Sequence, residues 1–447
     1  MAELMRTAHD ASTYVAAQRD AAADLPAAGR RWLDQCRSAA LAQLELTGLP
    51  DQSNEDWKYT PIRPITREAF APAQAGSDCP RQFVVASTIP NLDSYRLVFV
   101  DGFWSPALSH LDDLPAGVTL AGLGQMLDND PARIEPWLGS ALGSEPHGFI
   151  AMNSSFVGDG AVVEINAGVV LDKPVELLFV SGCGGSGRLS LPRNLVVAHS
   201  GSQATVIERH VSLLENRSLS NSVSEVIVES DARLTHHAVQ QESPRSFHVG
   251  GLFVRVGRCA EFRSTTVTLD GALVRRDALI NLDDEQAQAR LDGLYLAFGR
   301  SHVDNHTHVV HHAPNGVSRE HYKGVLGDRA RAVFHGRIVV QPGAQQTDSQ
   351  QRNQNLLLSR DAEVDSKPQL EIYADNVKCT HGATVGQLDE GAIFYLRSRG
   401  LDQVQARRAL TRAFAADVLE RMVPTALRSY LEQQVNDRMQ AVSEIER

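Results

Sequence analysis

The middle of the chain, from about residue 150 to 385, is built of short β-forming segments separated by Gly, Asn, Asp and Ser. Within it an Ala-x-apolar pattern recurs in steps of 28, 28, 29, 43 and 30 residues, and a second apolar series recurs in steps of 28, 28, 44 and 31. The two series are Ala204, Ala232, Ala260, Ala289, Ala332 and Ala362, and Val226, Val254, Leu282, Leu326 and Leu357. Two strand signals per repeat, with no helical segment between them, predict a β-solenoid whose coils stack at about 4.8 Å. A β-sandwich is the alternative, but sandwiches do not usually keep so regular a repeat.

Both series lengthen by a similar amount at the same place, which predicts one insertion between Leu291 and Leu326. This stretch is rich in histidine: His302, His306, His308, His311, His312 and His321. In an extended segment His306 and His308 share one face, an arrangement that can present two imidazoles to a metal ion. The alternative is the solvated face of an edge strand, because no carboxylate or cysteine stands obviously beside the pair.

The N-terminal part of the chain has a different pattern. Residues from about 10 to 47 are predicted to be helical, with a break at Pro26 and Gly29. A mixed region follows, in which residues 83–86 and 96–100 have strand-like sequences.

The C-terminal part is also predicted to be helical. Asp389 and Asp402 are placed to cap two helices, and Pro424 interrupts the helical pattern that follows. An apolar stripe runs along these helices: Val404, Leu410, Phe414, Val418, Met422, Ala426, Leu427, Tyr430, Leu431, Val435 and Met439. We therefore divide the chain into a helical and mixed region (1–150), a β-solenoid core (151–387) and a C-terminal helical domain (388–447).

Composition narrows the range of functions. Lys and Arg number 43 against 54 Asp and Glu, a net charge of −11, which argues against nucleic acid or an anionic membrane as a partner. The five cysteines are an odd number and include no Cys-x-x-Cys, which fits a reducing compartment better than a disulfide framework. With neither a signal pattern nor a membrane-spanning apolar run, we expect a cytoplasmic protein. No Gly-Lys dipeptide occurs, so an ordinary P-loop is excluded and any ATP must be held by another subunit.

The candidate chemistry lies in residues 367–401, which read KPQLEIYADNVKCTHGATVGQLDEGAIFYLRSRGL. If the segment around Cys379 is extended, Cys379 and His381 project to the same face. A thiolate and an imidazole side by side make half of a site for iron or an iron–sulfur cluster. The plainer interpretation is a packed thiol beside a hydrogen-bonded histidine.

KCTHGATVG followed by LDEGAIFYLRSRGL resembles the signature of the SufB/SufD family of iron–sulfur cluster assembly proteins. The resemblance continues upstream through SREHYKGVL, GRIVVQPGAQQTDSQQRNQNLLLS and SKPQLEIYADNV, so that it is dense over residues 318–401. Near the N-terminus, EDWKYT at 55–60 and VDGF at 100–103 resemble the SufD branch rather than SufB.

The resemblance implies a mainly β fold, a right-handed parallel β-helix flanked by N-terminal and C-terminal helical regions. It implies a non-enzymatic scaffold subunit that pairs with SufB and works with two copies of the ATPase SufC. His381 and Cys379 would then hold a transient iron–sulfur cluster or iron at the shared interface, because a cluster usually takes four protein ligands. The C-terminal helices, with Leu427 and Leu431, would dock SufC.

Two other functions stay open at this point. The chain is compatible with an iron-binding homodimer that acts without SufB. It is also compatible with a β-helix carbohydrate-active enzyme, for which Asp283, Asp284 and Glu285 form the dense acidic cluster of the solenoid. Those acids fall at a predicted turn, where acids are ordinarily solvated. The residues leave flavin binding and the entry point of iron open.

Overall fold

The computed structural model describes residues 11–68, 70–143, 146–213 and 216–445. The helices are α1 (Ser12–Ala21), α2 (Arg31–Thr47), α3 (Arg63–Thr66), α4 (Arg81–Ala86), α5 (Leu123–Asn129), α6 (Pro131–Ile134), α7 (Gly148–Ser155), α8 (Glu390–Ser398), α9 (Gln403–Leu419) and α10 (Thr425–Ile445), with short 3-10 turns at Glu55–Trp57 and Pro106–Leu108. The strands are β1 (Ala71–Pro72), β2 (Tyr95–Val100), β3 (Phe103–Trp104), β4 (Val118–Gly122), β5 (Ala161–Ile165), β6 (Val175–Ser181), β7 (Arg188–Ser190), β8 (Arg193–Ala198), β9 (Gln203–Ser212), β10 (Ser218–Ser220), β11 (Val223–Val228), β12 (Arg233–Gln241), β13 (Phe247–Val256), β14 (Glu261–Thr268), β15 (Leu273–Leu282), β16 (Gln288–Ala297), β17 (His302–His311), β18 (Val317–Leu326), β19 (Arg331–Val340), β20 (Asp348–Leu357), β21 (Glu363–Ile372) and β22 (Lys378–Gly386).

The strands form two long sheets that face each other. Sheet A runs in the order β4-β5-β8-β11-β13-β15-β17-β19-β21, and sheet B in the order β3-β2-β6-β9-β12-β14-β16-β18-β20-β22. From β11 to β22 successive strands alternate between the two sheets, and every pair among them is parallel. A chain that winds in this way is a parallel β-helix, which confirms the predicted mainly β solenoid with helices at both ends.

The main core lies inside the coil, between the two sheets. The strands pair without a slip, so apolar residues of successive coils stand directly above one another. One such column is Val226, Val254, Ile280, Val309, Ile338 and Leu370. Each strand turns alternate side chains inward, and the other set must therefore be covered from outside.

The helical ends cover the outer faces of the sheets. In the N-terminal region Trp57 and Phe149 pack with residues such as Val249 on the outside of sheet A. The C-terminal helices α9 and α10 pack against the outside of sheet B, on apolar side chains such as Ile207 and Leu294. Because the helices share cores with the solenoid strands, the division into three domains remains a prediction.

The predicted insertion between Leu291 and Leu326 is wrong. β17 and β18 are ordinary ten-residue strands of this stretch, and Ala289 of β16 pairs with Ser318 of β18, one repeat of 29 residues later. The apparent lengthening arose because Ala332 belongs to sheet A, whereas Ala289 belongs to sheet B. Ser318 takes the alanine's place in the next coil, so the next Ala-x-apolar match, at Ala332, lies in the other sheet.

The N-terminal predictions fared unequally. α1 and α2 flank the predicted break, and β2 covers the strand-like segment at 96–100. The segment at 83–86 is not a strand but part of helix α4, which begins after Pro80. Only Val84 of that helix is fully buried, and Val85 is exposed. High β propensity therefore yielded to the tertiary surroundings.

Candidate functional site

Cys379 and His381 lie on β22, the last strand of sheet B. Among the described residues β22 has one ladder partner, β20, and its other edge carries no strand. Cys379 stands opposite Ser349, and His381 stands opposite Gln351. The two side chains therefore occupy alternate positions on one face, as the spacing predicts.

The last coil is far more exposed than those before it. Ser349 and Gln351 are buried, whereas Cys379 is half-buried and His381 is exposed. Every residue of β22 except Cys379 is exposed. Cys379 and His381 thus stand at the open end of the solenoid, where the inner columns meet solvent.

Behind these two residues the inner columns are polar. Ser318 and Ser349 lie below Cys379, with their hydroxyl oxygens 2.8 Å apart. Glu320 and Gln351 lie below His381 in the same way. Burial raises the pKa of the Cys379 thiol and so favours its protonated form.

Glu320 is the most unusual titratable group of these columns. It is 3% exposed, and its Oε2 accepts a 2.5 Å hydrogen bond from the hydroxyl of Thr307. Burial raises the pKa of Glu320 to about 7, and the hydrogen bonds to the carboxylate offset only part of that effect. A carboxyl group that titrates near neutral pH therefore lies inside the solenoid.

His306 and His308 point to the outer face of sheet A, as the alternation predicts, while Thr307 and Val309 face the core. Their surroundings differ. The ring of His306 lies 4.8 Å from that of His335, centroid to centroid. Burial, with the nearby Arg337, lowers the pKa of His308 to about 4. The strand is not an edge strand, since β17 pairs with both β15 and β19.

The neighbours of His306 were missed by the sequence reasoning. His335 stands directly opposite His306 on β19. Asp304 Oδ1 lies 3.0 Å from Nε2 of His306. Asp56, in the turn at Glu55–Trp57, completes the group. One donor atom from each of Asp56, His306 and His335 lies within 4.8 Å of the other two. The 29-residue repeat, applied to His306, was the signal that would have found His335.

Leu427 and Leu431, which the resemblance assigns to the SufC contact, are fully buried, so their side chains do not reach the surface. Both belong to the core between α10 and sheet B, where the predicted apolar stripe packs on its own chain. Among the side chains that the structure describes on the C-terminal helices, the large apolar ones that are exposed are Phe394 and Tyr395 of α8, at 73% and 57%. Whether the ATPase docks on these helices stays a prediction.

The acidic cluster at Asp283, Asp284 and Glu285 lies in the turn between β15 and β16, as predicted. Asp283 Oδ2 accepts a 2.7 Å hydrogen bond from Arg255, and Glu285 accepts one of 3.0 Å from Asn315. These contacts join neighbouring coils.

No helix in the described part of the chain is both long and apolar enough to cross a membrane.

Comparison with known proteins covers nearly the whole chain. The family model for the SufBD protein N-terminal region matches residues 8–177, and that for the SufBD core domain of SUF system FeS cluster assembly matches residues 180–414. A SufBD family iron–sulfur cluster assembly protein of Synechocystis is 33% identical over 417 residues, 90% of each chain. The iron–sulfur cluster assembly protein SufD of Escherichia coli is 34% identical over 401 residues, 89% of this chain and 91% of its own. SufD of Bacillus subtilis is 25% identical over 407 residues, 88% of this chain and 90% of its own. The chain therefore belongs to the SufB/SufD family of iron–sulfur cluster assembly proteins.

Proposed function

We propose that this chain is a non-catalytic scaffold subunit for iron–sulfur cluster assembly. In this role it pairs with a SufB-type subunit and holds a nascent cluster or iron between Cys379, His381 and ligands of the partner. The observation that carries the proposal is the position of these two residues on the open last coil. The cluster is the cargo of this assembly.

The number of ligands supports a shared site. A cluster usually takes four protein ligands, and β22 offers one thiol and one imidazole. The other cysteines lie on other parts of the fold: Cys36 on α2, Cys79 before α4, Cys183 after β6 and Cys259 before β14. A second subunit at the open end would supply what this chain lacks.

The exposure of the last coil supports an edge-to-edge partner. An unpaired strand edge is a template for pairing with another strand. Gly382 stands next to His381, and a methyl group added there would meet no atom within 4 Å. Its small size therefore answers no steric demand within this chain, whereas a partner backbone or a cluster at this edge would create one.

We propose that the ATPase partner docks on the C-terminal helices. Leu427 and Leu431 are buried in the chain's own core, so the contact with the ATPase would use the outer surface of α8. Phe394 and Tyr395 supply exposed apolar area there, of the kind that anchors interfaces. A SufC-type ATPase would bring the nucleotide site, since the chain has no P-loop sequence.

The test is co-expression of the chain with SufB and SufC homologues, followed by anaerobic measurement of complex yield and cluster content on one preparation. His381→Ala is expected to leave the complex and its ATP hydrolysis normal while most of the cluster is lost. Cys379→Ala is expected to give a milder defect. The control is His312→Ala, which removes an exposed histidine from the turn after β17.

Three outcomes would count against the proposal. An intact complex with full cluster in the His381→Ala variant would remove the ligand role. Loss of assembly before loss of cluster would make His381 an interface residue only. If gel filtration shows that the chain forms a homodimer even with the partners present, and this homodimer holds the cluster, the proposed pairing with a SufB-type subunit is wrong.

A further inference from the structure

A group of side chains with metal-ligating atoms lies at the outer face of sheet A, away from the strand that carries Cys379. His306 and His335 are directly opposite residues of the neighbouring strands β17 and β19, both on the outer face. Asp56 reaches the same point from the N-terminal region, through the turn at Glu55–Trp57 that lies over this face. Three separate elements therefore deliver three donor atoms to one place.

Each histidine of this group is held by a neighbour. Asp304 Oδ1 lies 3.0 Å from Nε2 of His306, and Gln369 Oε1 lies 2.6 Å from Nε2 of His335. The contact of His335 with Gln369 is a hydrogen bond, and hydrogen bonds of this kind orient the rings of metal-binding histidines and set their tautomers. The other ring nitrogen of His335, Nδ1, lies 3.8 Å from Asp56 Oδ1. Donors bound to one ion at about 2.1 Å lie about 3.4 Å apart, so this pair needs only a small closure.

The backbone of Asp56 is held in place by a hydrogen bond, although its side chain is exposed. Its backbone oxygen accepts a 2.8 Å hydrogen bond from the buried guanidinium of Arg275. That guanidinium lies 3.7 Å from the ring of Trp57 and donates a 2.7 Å hydrogen bond to Asp304 Oδ2. One network thus fixes both the backbone of Asp56 and the carboxylate that lies beside His306.

The burial of the three side chains leaves the group open on one side. The side chains of His335 and His306 are 10% and 14% exposed, whereas that of Asp56 is 64% exposed. An ion can therefore enter from solvent and keep water in its remaining positions. Asp56 can adjust to the ion because its side chain is not packed.

We propose that Asp56, His306 and His335 bind a single divalent transition-metal ion, Zn²⁺ or Fe²⁺. Two imidazoles and one carboxylate with open positions suit these ions, whereas Ca²⁺ and Mg²⁺ prefer oxygen ligands alone. The bound ion fastens the N-terminal segment to the outside of sheet A, because Asp56 belongs to the one and the histidines to the other. The site does not depend on the scaffold function, and it lies on the opposite sheet from Cys379 and His381.

The test is equilibrium dialysis of the full chain against Zn²⁺ and, anaerobically, against Fe²⁺, with metal measured by mass spectrometry. A Cys379→Ser/His381→Gln background removes the two candidate ligands on β22. One ion per chain is expected in this background. Asp56→Asn and His335→Gln are each expected to weaken binding at least tenfold. The matched controls are Glu55→Gln, the neighbouring exposed carboxylate, and His308→Gln, the histidine two residues from His306, and both are expected to bind as the parent does.

A second readout keeps the proposal falsifiable if His335→Gln fails to fold. Zn²⁺ is expected to raise the thermal midpoint of the parent and of Glu55→Gln, but not that of Asp56→Asn, because binding to the folded state alone stabilises it. Asp56 is exposed, so its substitution should leave the metal-free midpoint nearly unchanged. The proposal is overturned if the parent binds less than one ion per chain, or if Asp56→Asn binds as tightly as Glu55→Gln. Preference for Zn²⁺ or for Fe²⁺ in the dialysis decides which ion the site takes.

Discussion

Replacing Glu320 with glutamine should stabilise the protein at pH 8 far more than at pH 5. The carboxyl group is buried in the solenoid, next to Thr307, and burial raises its pKa to about 7. An unfolded chain would release the same proton near pH 4.3. Between these two values the folded state holds more protons than the unfolded state, so stability is highest below about pH 4.3 and is lost as pH rises through 7.

The size of the effect follows from the two pKa values. A difference of about 2.7 pKa units corresponds to about 3.7 kcal/mol in total, of which about 2.5 kcal/mol falls between pH 5 and pH 8. Glutamine has nearly the same shape and carries no titrating proton. The variant should therefore lack this part of the pH dependence, while the Thr307 hydroxyl can still donate to its amide oxygen.

The assay is urea unfolding of the wild type and of Glu320→Gln at pH 5 and pH 8, with the free energy of unfolding compared at each pH. Glu285→Gln, at an exposed turn position, is the control and should shift the stability equally at both values. If Glu320→Gln changes the free energy of unfolding by the same amount at pH 5 and pH 8, the carboxyl group is not held protonated and the reasoning fails.

Three further outcomes are expected. Leu431→Ala removes a fully buried side chain and should lower the free energy of unfolding by about 2–5 kcal/mol. Phe394→Ala, at an exposed position, should change it by less than about 0.5 kcal/mol. Equal effects of the two substitutions in urea titrations would contradict the packing of α10. Trp57→Ala should lower the free energy of unfolding by about 3–5 kcal/mol in the same assay, because the ring is buried between Phe149 and the guanidinium of Arg275. A small loss would mean that the N-terminal segment is not docked on sheet A. Burial, with the neighbouring histidine, lowers the pKa of His237 to about 3, so its contribution is full above about pH 6.5 and is lost as pH falls toward 3. His237→Gln should therefore flatten the acid side of the stability profile between pH 6.5 and pH 4, and a wild-type profile that is equally flat would refute the assignment.

The solenoid could be predicted because its physics is periodic. Each coil adds two strands of similar length, so the repeat shows in the spacing of small and apolar residues, and it was misread only where Ser318 follows Ala289 in place of an alanine. The shared face of Cys379 and His381 follows from the two-residue period of a strand, which needs no tertiary information. The same local logic places Asp389 and Asp402 at helix N-caps, where both accept backbone hydrogen bonds.

What could not be predicted depends on contacts between distant segments. An apolar stripe such as that of Leu427 shows that a helix face must be covered, but the stripe is the same whether the cover is the chain's own sheet or another subunit. Asp56 and His335 meet only because the N-terminal segment crosses the outside of sheet A, and no local pattern records that crossing. His306 was visible as a candidate ligand, but its partner is set by strand register.

The central claim, that the cluster ligands are divided between this chain and a partner, is tested most directly by acid-labile sulfide. The isolated chain and its co-purified complex with SufB and SufC homologues are reconstituted anaerobically, desalted and assayed side by side. Sulfide is the better measure, because iron alone can also bind at Asp56, His306 and His335. One thiol and one imidazole leave at least two coordination positions unfilled, so the isolated chain should retain far less than one cluster while the complex retains it. A stoichiometric cluster that survives desalting on the isolated chain would contradict the account.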